Sequence, residues 1–398
     1  MTAPRETRAP RPRGHYRRVV VKLGSAVLAD PATGLREGTI RALAREVSRA
    51  AEETGVETVV VTSGAIAAGR RRLGLTARPR TMALKQAAAA VGQTTLMRAY
   101  ERAFEAHELR VGQLLLTHED FASRERYNNA RGTLLTLLGR GIVPVINEND
   151  TVATQEIRLG DNDHLAALVA QMLGADLLVL FTDQEGLYDR DPRRFPDARL
   201  VRVVETIDDG LLRAAAGQRD AGVGTGGMAS KLRAAGLVAT AGIPVVIASG
   251  LRPRALTDVL AGAPVGTMVR PRAGRRTRSR KLWIAFAREP RGVITVDDGA
   301  RRVLVEQNRS LLPAGVVGAE GRFAQGDAVA IADRAGRVFA RGLAAWSHDQ
   351  VARAMGRRSA ELRELLGAGV PAEVVHRDDL VILEGAGAGT AAAGRVGA

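Results

Sequence analysis

Between residues 17 and 269, short apolar runs alternate with stretches whose apolar residues recur every three to four positions. The runs at 17–23, 56–61, 109–116, 142–146, 176–182, 243–249 and 266–269 are rich in Val, Ile and Leu and read as buried strands. Helical spacing is predicted over 37–54, where Ile40, Leu43, Ala44, Val47 and Ala51 share one face. It recurs over 81–107 and 123–141, after Asp163 (Leu165, Leu168, Val169, Met172), from near Ala229 to Ala241, and over 253–261. Regular alternation of this kind predicts an α/β domain, a largely parallel open sheet with helices on both faces. After residue 281 the texture changes to short strands, glycine turns and a hairpin signal, with Asp333-Arg334-Ala335-Gly336 between two alternating runs. That predicts a small β-barrel-like domain over 282–370, with short helices near 349–355 and 358–366.

Composition narrows this picture. The 398 residues are 45% hydrophobic and 25% charged, enough for two domains with cores, but aromatics are only 3%, so the cores must be aliphatic. The absence of cysteine excludes disulfides, thiolate metal sites and a cysteine nucleophile. No apolar run reaches membrane-spanning length, and the basic N-terminus lacks the apolar stretch of a secretory signal, so a cytoplasmic protein is expected. The six histidines are scattered without ligand spacing, which leaves no zinc site and no Ser-His-Asp set.

The net charge of +15 suggests a nucleic-acid partner, but its distribution argues otherwise. Residues 5–18 carry net +5 and residues 270–281 net +7, so twelve of the fifteen charges lie in what reads as a basic arm (1–16, with its edge) and a linker (270–281). Residues 371–383 form a C-terminal segment, and 384–398 a Gly/Ala-rich tail expected to be disordered.

Candidate chemistry gathers where strands end. The strand at 142–146 runs into Asn147, Glu148, Asn149 and Asp150, and a second polar cluster, Asp161-Asn162-Asp163, opens the next helix after a predicted hairpin. Ligands in open α/β sheets bind at such carboxyl ends, and amides with carboxylates there suit an ammonium group. Solvated turns and helix caps use the same residues. Lys22 interrupts an apolar strand beside Gly24, which fits a phosphate-binding amine or an edge strand with a snorkelling lysine. Ser63 in TSGA marks an anion site at a helix start, or close helix-on-sheet packing. Thr182-Asp183 ends a strand where a nucleotide can rest, or simply turns the chain. Residues 217–231 are a glycine-rich loop leading into a helix with Lys231 in its first turn, either a polyphosphate cradle or a surface loop. Gly222, Gly224 and Gly227 spell G-x-G-x-x-G, but no strand precedes them, so this is not a dinucleotide fingerprint.

These motifs occur together in one order: VVKLGS, VVVTSGAIAAGR, KQAAAAVGQ, VPVINENDTVAT, GDNDHLAALVA, LVLFTDQEGLY, GTGGMASKL and HRDDL. From about 17 to 382 the chain resembles the bacterial glutamate 5-kinase family, an amino-acid-kinase fold followed by a PUA domain. The resemblance implies ATP- and Mg²⁺-dependent phosphorylation of the L-glutamate γ-carboxylate, the first step of proline biosynthesis, with proline as inhibitor. It also implies a dimer or tetramer and capture of the labile product by glutamyl phosphate reductase. Carried over by position, Lys22 resembles the phosphate lysine, and Ser63, Asp150 and Asn162 the glutamate contacts. Thr182, Asp183 and the loop Thr225, Gly226, Gly227, Met228, Ala229, Ser230 and Lys231 resemble the nucleotide contacts, and Asp163 the acid that orients the lysines. Ala26 stands where the family commonly has Ser, and the arm and tail lie outside its pattern. The rival readings are a sister kinase for N-acetylglutamate, aspartate, carbamate or UMP, an RNA-binding protein acting through the PUA-like domain, and a scaffold with a dead kinase site.

Overall fold

The computed structural model describes residues 16–30, 34–75, 77, 79–152, 162–216, 227–271, 290–357 and 371–383. The chain divides into two compact units, Met1–Arg276 and Thr277–Ala398. Most of the hairpin predicted between Asp150 and Asp161, most of the glycine-rich loop, most of the linker and the helix expected at 358–366 lie outside the described residues.

In the first unit the strands are β1 (Arg18–Leu23), the two-residue pair β2 (Ala29–Asp30) and β3 (Gly34–Leu35), β4 (Glu57–Val61), β5 (Arg110–Leu116), β6 (Ile142–Glu148), β7 (Leu177–Thr182), β8 (Val203–Val204), β9 (Val245–Ser249) and β10 (Thr267–Val269). Helices α1 (Ser25–Leu28), α2 (Glu37–Thr54), α3 (Ala65–Arg72), α4 (Met82–Glu105), α5 (His118–Ala122), α6 (Arg124–Gly139), α7 (Asn162–Leu173), α8 (Asp209–Ala216), α9 (Met228–Thr240) and α10 (Ala255–Leu260) connect them. Eight strands form one sheet in the order β5-β6-β4-β1-β7-β9-β10-β8. All its ladders are parallel except β10 on β9. The sequence foreshadows this: residues 19–21 and 177–181 are wholly apolar, as strands covered on both faces must be.

Strand period sorts the faces. Val19, Val21 and Leu23 pack with Leu43 and Val47 of α2, Leu96 and Phe104 of α4 and Leu256 of α10 in one core. Val20 and Lys22 therefore point to the opposite face. That face meets α7, which packs against β1 and α9. Helix α2 buries the predicted stripe Ile40, Leu43, Ala44 and Val47, and stops at Gly55, whose φ of 68° suits glycine. β1 lies between β4 and β7, so successive connections leave it in opposite directions, and its carboxyl end is the switch point of the sheet.

The second unit holds a five-stranded sheet ordered β12-β11-β13-β14-β15. Its strands are β11 (Gly292–Val296), β12 (Val316–Gly321), β13 (Ala328–Ala332), β14 (Val338–Leu343) and β15 (Leu380–Ile382). The predicted hairpin at 333–336 joins β13 to β14, and the expected helix is α12 (His348–Ala354). The last strand extends this sheet beyond residue 370, and a helix, α11 (Asp298–Gln307), stands where the sequence suggested only strands and turns. Ile294, Val296, Leu304, Val329, Ile331, Phe339 and Trp346 fill a core of its own. No helix among the described residues is long and apolar enough to cross a membrane.

Candidate active site

Six segments converge at one edge of the sheet: the carboxyl ends of β1, β4, β6 and β7 and the first turns of α7 and α9. Lys22 is the fifth residue of β1, a central strand, and its side chain is only 4% exposed. The edge-strand reading is thereby excluded. Its Nζ lies 2.6 Å from Oδ1 of Asp163, which is fully buried in the first turn of α7. The other carboxylate oxygen, Oδ2, lies 3.4 Å from Nζ of Lys231 and accepts a hydrogen bond from Ser230 Oγ at 3.2 Å. Two ammonium groups from strand and helix, 209 positions apart in the sequence, thus meet on one carboxylate.

Local rules explain half of this arrangement. A carboxylate at a helix N-terminus is stabilised by the helix dipole, so Asp163 is well placed in α7. An ammonium in the first turn of α9 runs against the same dipole, yet Lys231 is there and buried. Burying one carboxylate and two ammoniums costs desolvation that a single ion pair does not repay. These three side chains together carry one more positive than negative charge, a balance that can accommodate an anion. Gly24 follows Lys22 closely, and a methyl group there would come within 3.2 Å of the lysine Nζ. A larger residue there would crowd the amine.

A second cluster adjoins the first through the neighbouring residue Asn162. Its Nδ2 lies 2.6 Å from the carbonyl oxygen of Thr62, 2.8 Å from Ser63 Oγ and 2.9 Å from Asn147 Oδ1. Ser63 and Gly64, with φ of 103°, turn the chain from β4 into α3, a conformation that favours glycine. Asn147, nearly fully buried in β6, in turn bonds Gln93 of α4. Thr62 Oγ1 shares a 2.8 Å hydrogen bond with the buried Tyr100 hydroxyl of α4, and burial raises the pKa of that phenol far above its ordinary value. Tyr100 is accordingly a neutral strut.

Most of the other predicted residues lie among the described ones. Asp150 is half-buried in the turn after β6. Thr182, buried, ends β7 and hydrogen-bonds Asp183 at 3.1 Å, beside the end of β1. Gly227 caps α9 in an extended conformation, and its carbonyl oxygen accepts from the Ser230 hydroxyl at 3.0 Å. Met228 and Ala229 are buried in the first turn of α9. Thr225 and Gly226 lie outside the described residues. Tyr100 escaped the sequence reading, Gln93 entered it only as the last residue of the KQAAAAVGQ motif, and Asn147 only as part of a polar cluster. No local pattern marks an amide whose partner is 54 residues away.

Residues 17–249 match the amino acid kinase family, and residues 292–366 match the PUA domain. A glutamate 5-kinase of Geobacter sp. (strain M21) is 49% identical over 367 residues, covering 92% of this chain and 98% of its own. The chain belongs to the glutamate 5-kinase family. Another glutamate 5-kinase, from Myxococcus xanthus (strain DK1622), is 50% identical over 367 residues, 92% of this chain and 96% of its own. The solved product complex of T. acidophilum isopentenyl phosphate kinase aligns at 20% identity with a TM-score of 0.42, over 63% of this chain and 99% of that one. Membership in the glutamate 5-kinases makes the chain a kinase, with a catalytic unit carrying the large sheet and a C-terminal PUA unit.

Proposed function

We propose that this chain transfers the γ-phosphoryl group of ATP to the γ-carboxylate of L-glutamate, giving L-glutamyl 5-phosphate and ADP. The observation that carries the reading is the buried pair of ammonium groups, Lys22 and Lys231, on one carboxylate at the switch point of the sheet. The acceptor is already ionised at neutral pH and needs no general base. A carboxylate oxygen attacks the γ-phosphorus, the bond to the bridging oxygen breaks, and its electron pair leaves on ADP. The protein must align two anions and offset their repulsion. Lys22 and Lys231 are the groups for that task, with Asp163 holding them apart from one another and in place. Thr182, Asp183 and the segment Thr225–Lys231 hold the nucleotide in this reading, with the N-terminus of α9 facing phosphate. Ser63, Asp150 and Asn162 hold the glutamate. Mg²⁺ enters with ATP as part of the substrate and supplies charge neutralisation.

The test is trapping of the acyl phosphate with hydroxylamine. Hydroxamate should form only when ATP and glutamate are both present, and proline should suppress it, as expected of the first step of proline biosynthesis. N-acetylglutamate, aspartate, carbamate and UMP should release no ADP. Lys22→Ala should lower turnover by about 10²-fold or more, the usual cost of losing one charge contact to the transition state. Equal turnover of another acceptor, or a Lys22→Ala enzyme with unchanged kinetics, would overturn the assignment.

A further inference from the structure

The hydrogen bonds around Asn147 and Asn162 have only one consistent orientation. A backbone N–H can only donate, and that of Glu148 donates to Asn147 at 2.9 Å, which identifies the contacted atom as Oδ1. A backbone carbonyl can only accept, so the atom of Asn162 lying 2.6 Å from the Thr62 oxygen is its nitrogen. With both ends fixed by the main chain, the Asn147 nitrogen must find an acceptor elsewhere. It finds Gln93 Oε1 at 2.9 Å. Among the described residues, two polar atoms of this network are buried without a partner: the Gln93 nitrogen and the Asn162 side-chain oxygen. One donates and one accepts, and a buried group of either kind left unmade is costly. A donor and an acceptor left over at the two ends of one amide network complement a ligand carrying both a carboxylate and an ammonium group.

Gln93 also occupies a special place on its helix. Tyr100, about two turns further along α4, bonds Thr62 at the end of β4, while Gln93 bonds Asn147 at the end of β6. Gly92, the residue before Gln93, presses on α3 so closely that a methyl group there would lie 1.8 Å from the Ala65 oxygen. A single helix thus touches both strand ends and the turn that carries Ser63.

We propose that Gln93 is a positioning residue for the acceptor amino acid: its side-chain oxygen fixes Asn147, and through it the Asn162 amide, so that α4 sets the geometry in which the acceptor is held. The inference rests on the glutamate-kinase reading above, and it deepens that reading by adding a residue to its acceptor side.

The experiment compares wild type with Gln93→Met, which keeps the length of the side chain and removes both polar atoms, and with Gln93→Ala as a second variant should the first not fold. Val91→Thr, on the exposed side of α4, is the control. In a folded Gln93 variant the KM for glutamate should rise at least tenfold, while kcat and the KM for ATP stay within about threefold; the control should change neither. In parallel, amide hydrogen exchange at Glu148 should quicken about tenfold, because its acceptor has lost its own anchor. A merely structural role would move the two KM values together, and that result would overturn the proposal, as would unchanged Glu148 exchange in a folded variant. The exchange measurement needs no substrate. Failure of wild type to phosphorylate glutamate would count against the functional reading, while the exchange result still decides the role of Gln93.

Discussion

Asp163 is the residue on which the largest opposing energies meet. It is fully buried, and both of its oxygens face ammonium groups. Replacing it by Asn keeps the shape and removes the charge, leaving two buried ammoniums with their shared counter-charge gone. Breaking a buried ion pair from one side costs about 3–5 kcal/mol. Asp163→Asn should therefore lower the urea midpoint of the catalytic unit markedly, and raising ATP should recover part of the loss, since the polyphosphate replaces the missing negative charge. Turnover should fall about 10²-fold or more even at saturating ATP, because the lysines lose their fixed positions. A variant with wild-type stability and turnover would show that Asp163 neither holds the lysines nor matters to them. Lys22 and Asp163 were legible in the sequence because each is a local anomaly: a lysine inside VVVKLG, and an acid opening an apolar helix. Lys231 stood out in the same way, a cation after a glycine-rich loop. Gln93 and Tyr100 look ordinary on an Ala-rich helix, and only the fold reveals what they reach.

The helix pair α3 and α4 decides how well that cradle is built. Gly69 and Gly92 face each other's helices so tightly that a methyl group on Gly69 would lie 1.7 Å from the Ala88 oxygen. No rotamer change relieves such a clash, because the obstacle is backbone. Gly92→Ala must push the helices apart, and overpacking of this kind costs typically about 1–3 kcal/mol, here toward the upper end. The expected result is a lower thermal midpoint together with a raised glutamate KM, since α4 carries both Gln93 and Tyr100; a midpoint equal to wild type would contradict the close crossing. The elements themselves were largely readable, because a parallel sheet covered on both faces demands continuous apolar strands and one-sided helices. The misses have a physical cause. Helix α11 is ten residues long and fully buries only Leu304, with Ala300 and Val305 half-buried beside it, so too few turns repeat its apolar face to set it apart from the strands around it. Its signals were the ends: Asp297 caps it by accepting from Ala300 N–H at 2.7 Å, and Asn308 leaves it with φ of 49°. Helix α8 likewise buries only Ala215.

At the scale of the molecule, the two units have separate cores, and a perturbation confined to one core can be distinguished from a perturbation of the other. Asp333 is the place to apply it. At the β13–β14 turn its carboxylate accepts from the backbone N–H groups of Ala335 and Arg337, both at 3.0 Å, and pairs with the Arg337 guanidinium at 2.9 Å. Burial alone would raise its pKa, but the hydrogen bonds and positive charge of Arg337, with the Ala335 N–H, outweigh that and hold the carboxyl below its ordinary value. A carboxyl whose folded pKa lies below its unfolded one stabilises the fold above the unfolded pKa, and that contribution fades as pH falls through the folded value. At pH 7, Asp333→Asn should therefore destabilise the C-terminal unit by about 1 kcal/mol. That corresponds to a shift of roughly 4 °C in its transition. As the pH is lowered from about 4 down through the folded value the difference from wild type should shrink toward zero, because below that value wild type carries a neutral group as well. Calorimetric scans across this range, read beside glutamate kinetics at pH 7, separate the units: the transition of the C-terminal unit should move while kcat and both KM values stay at wild-type levels. If the kinetics of the kinase unit moved with the Asp333 substitution, the two units would be energetically coupled, and the PUA unit would then belong to the catalytic account as well.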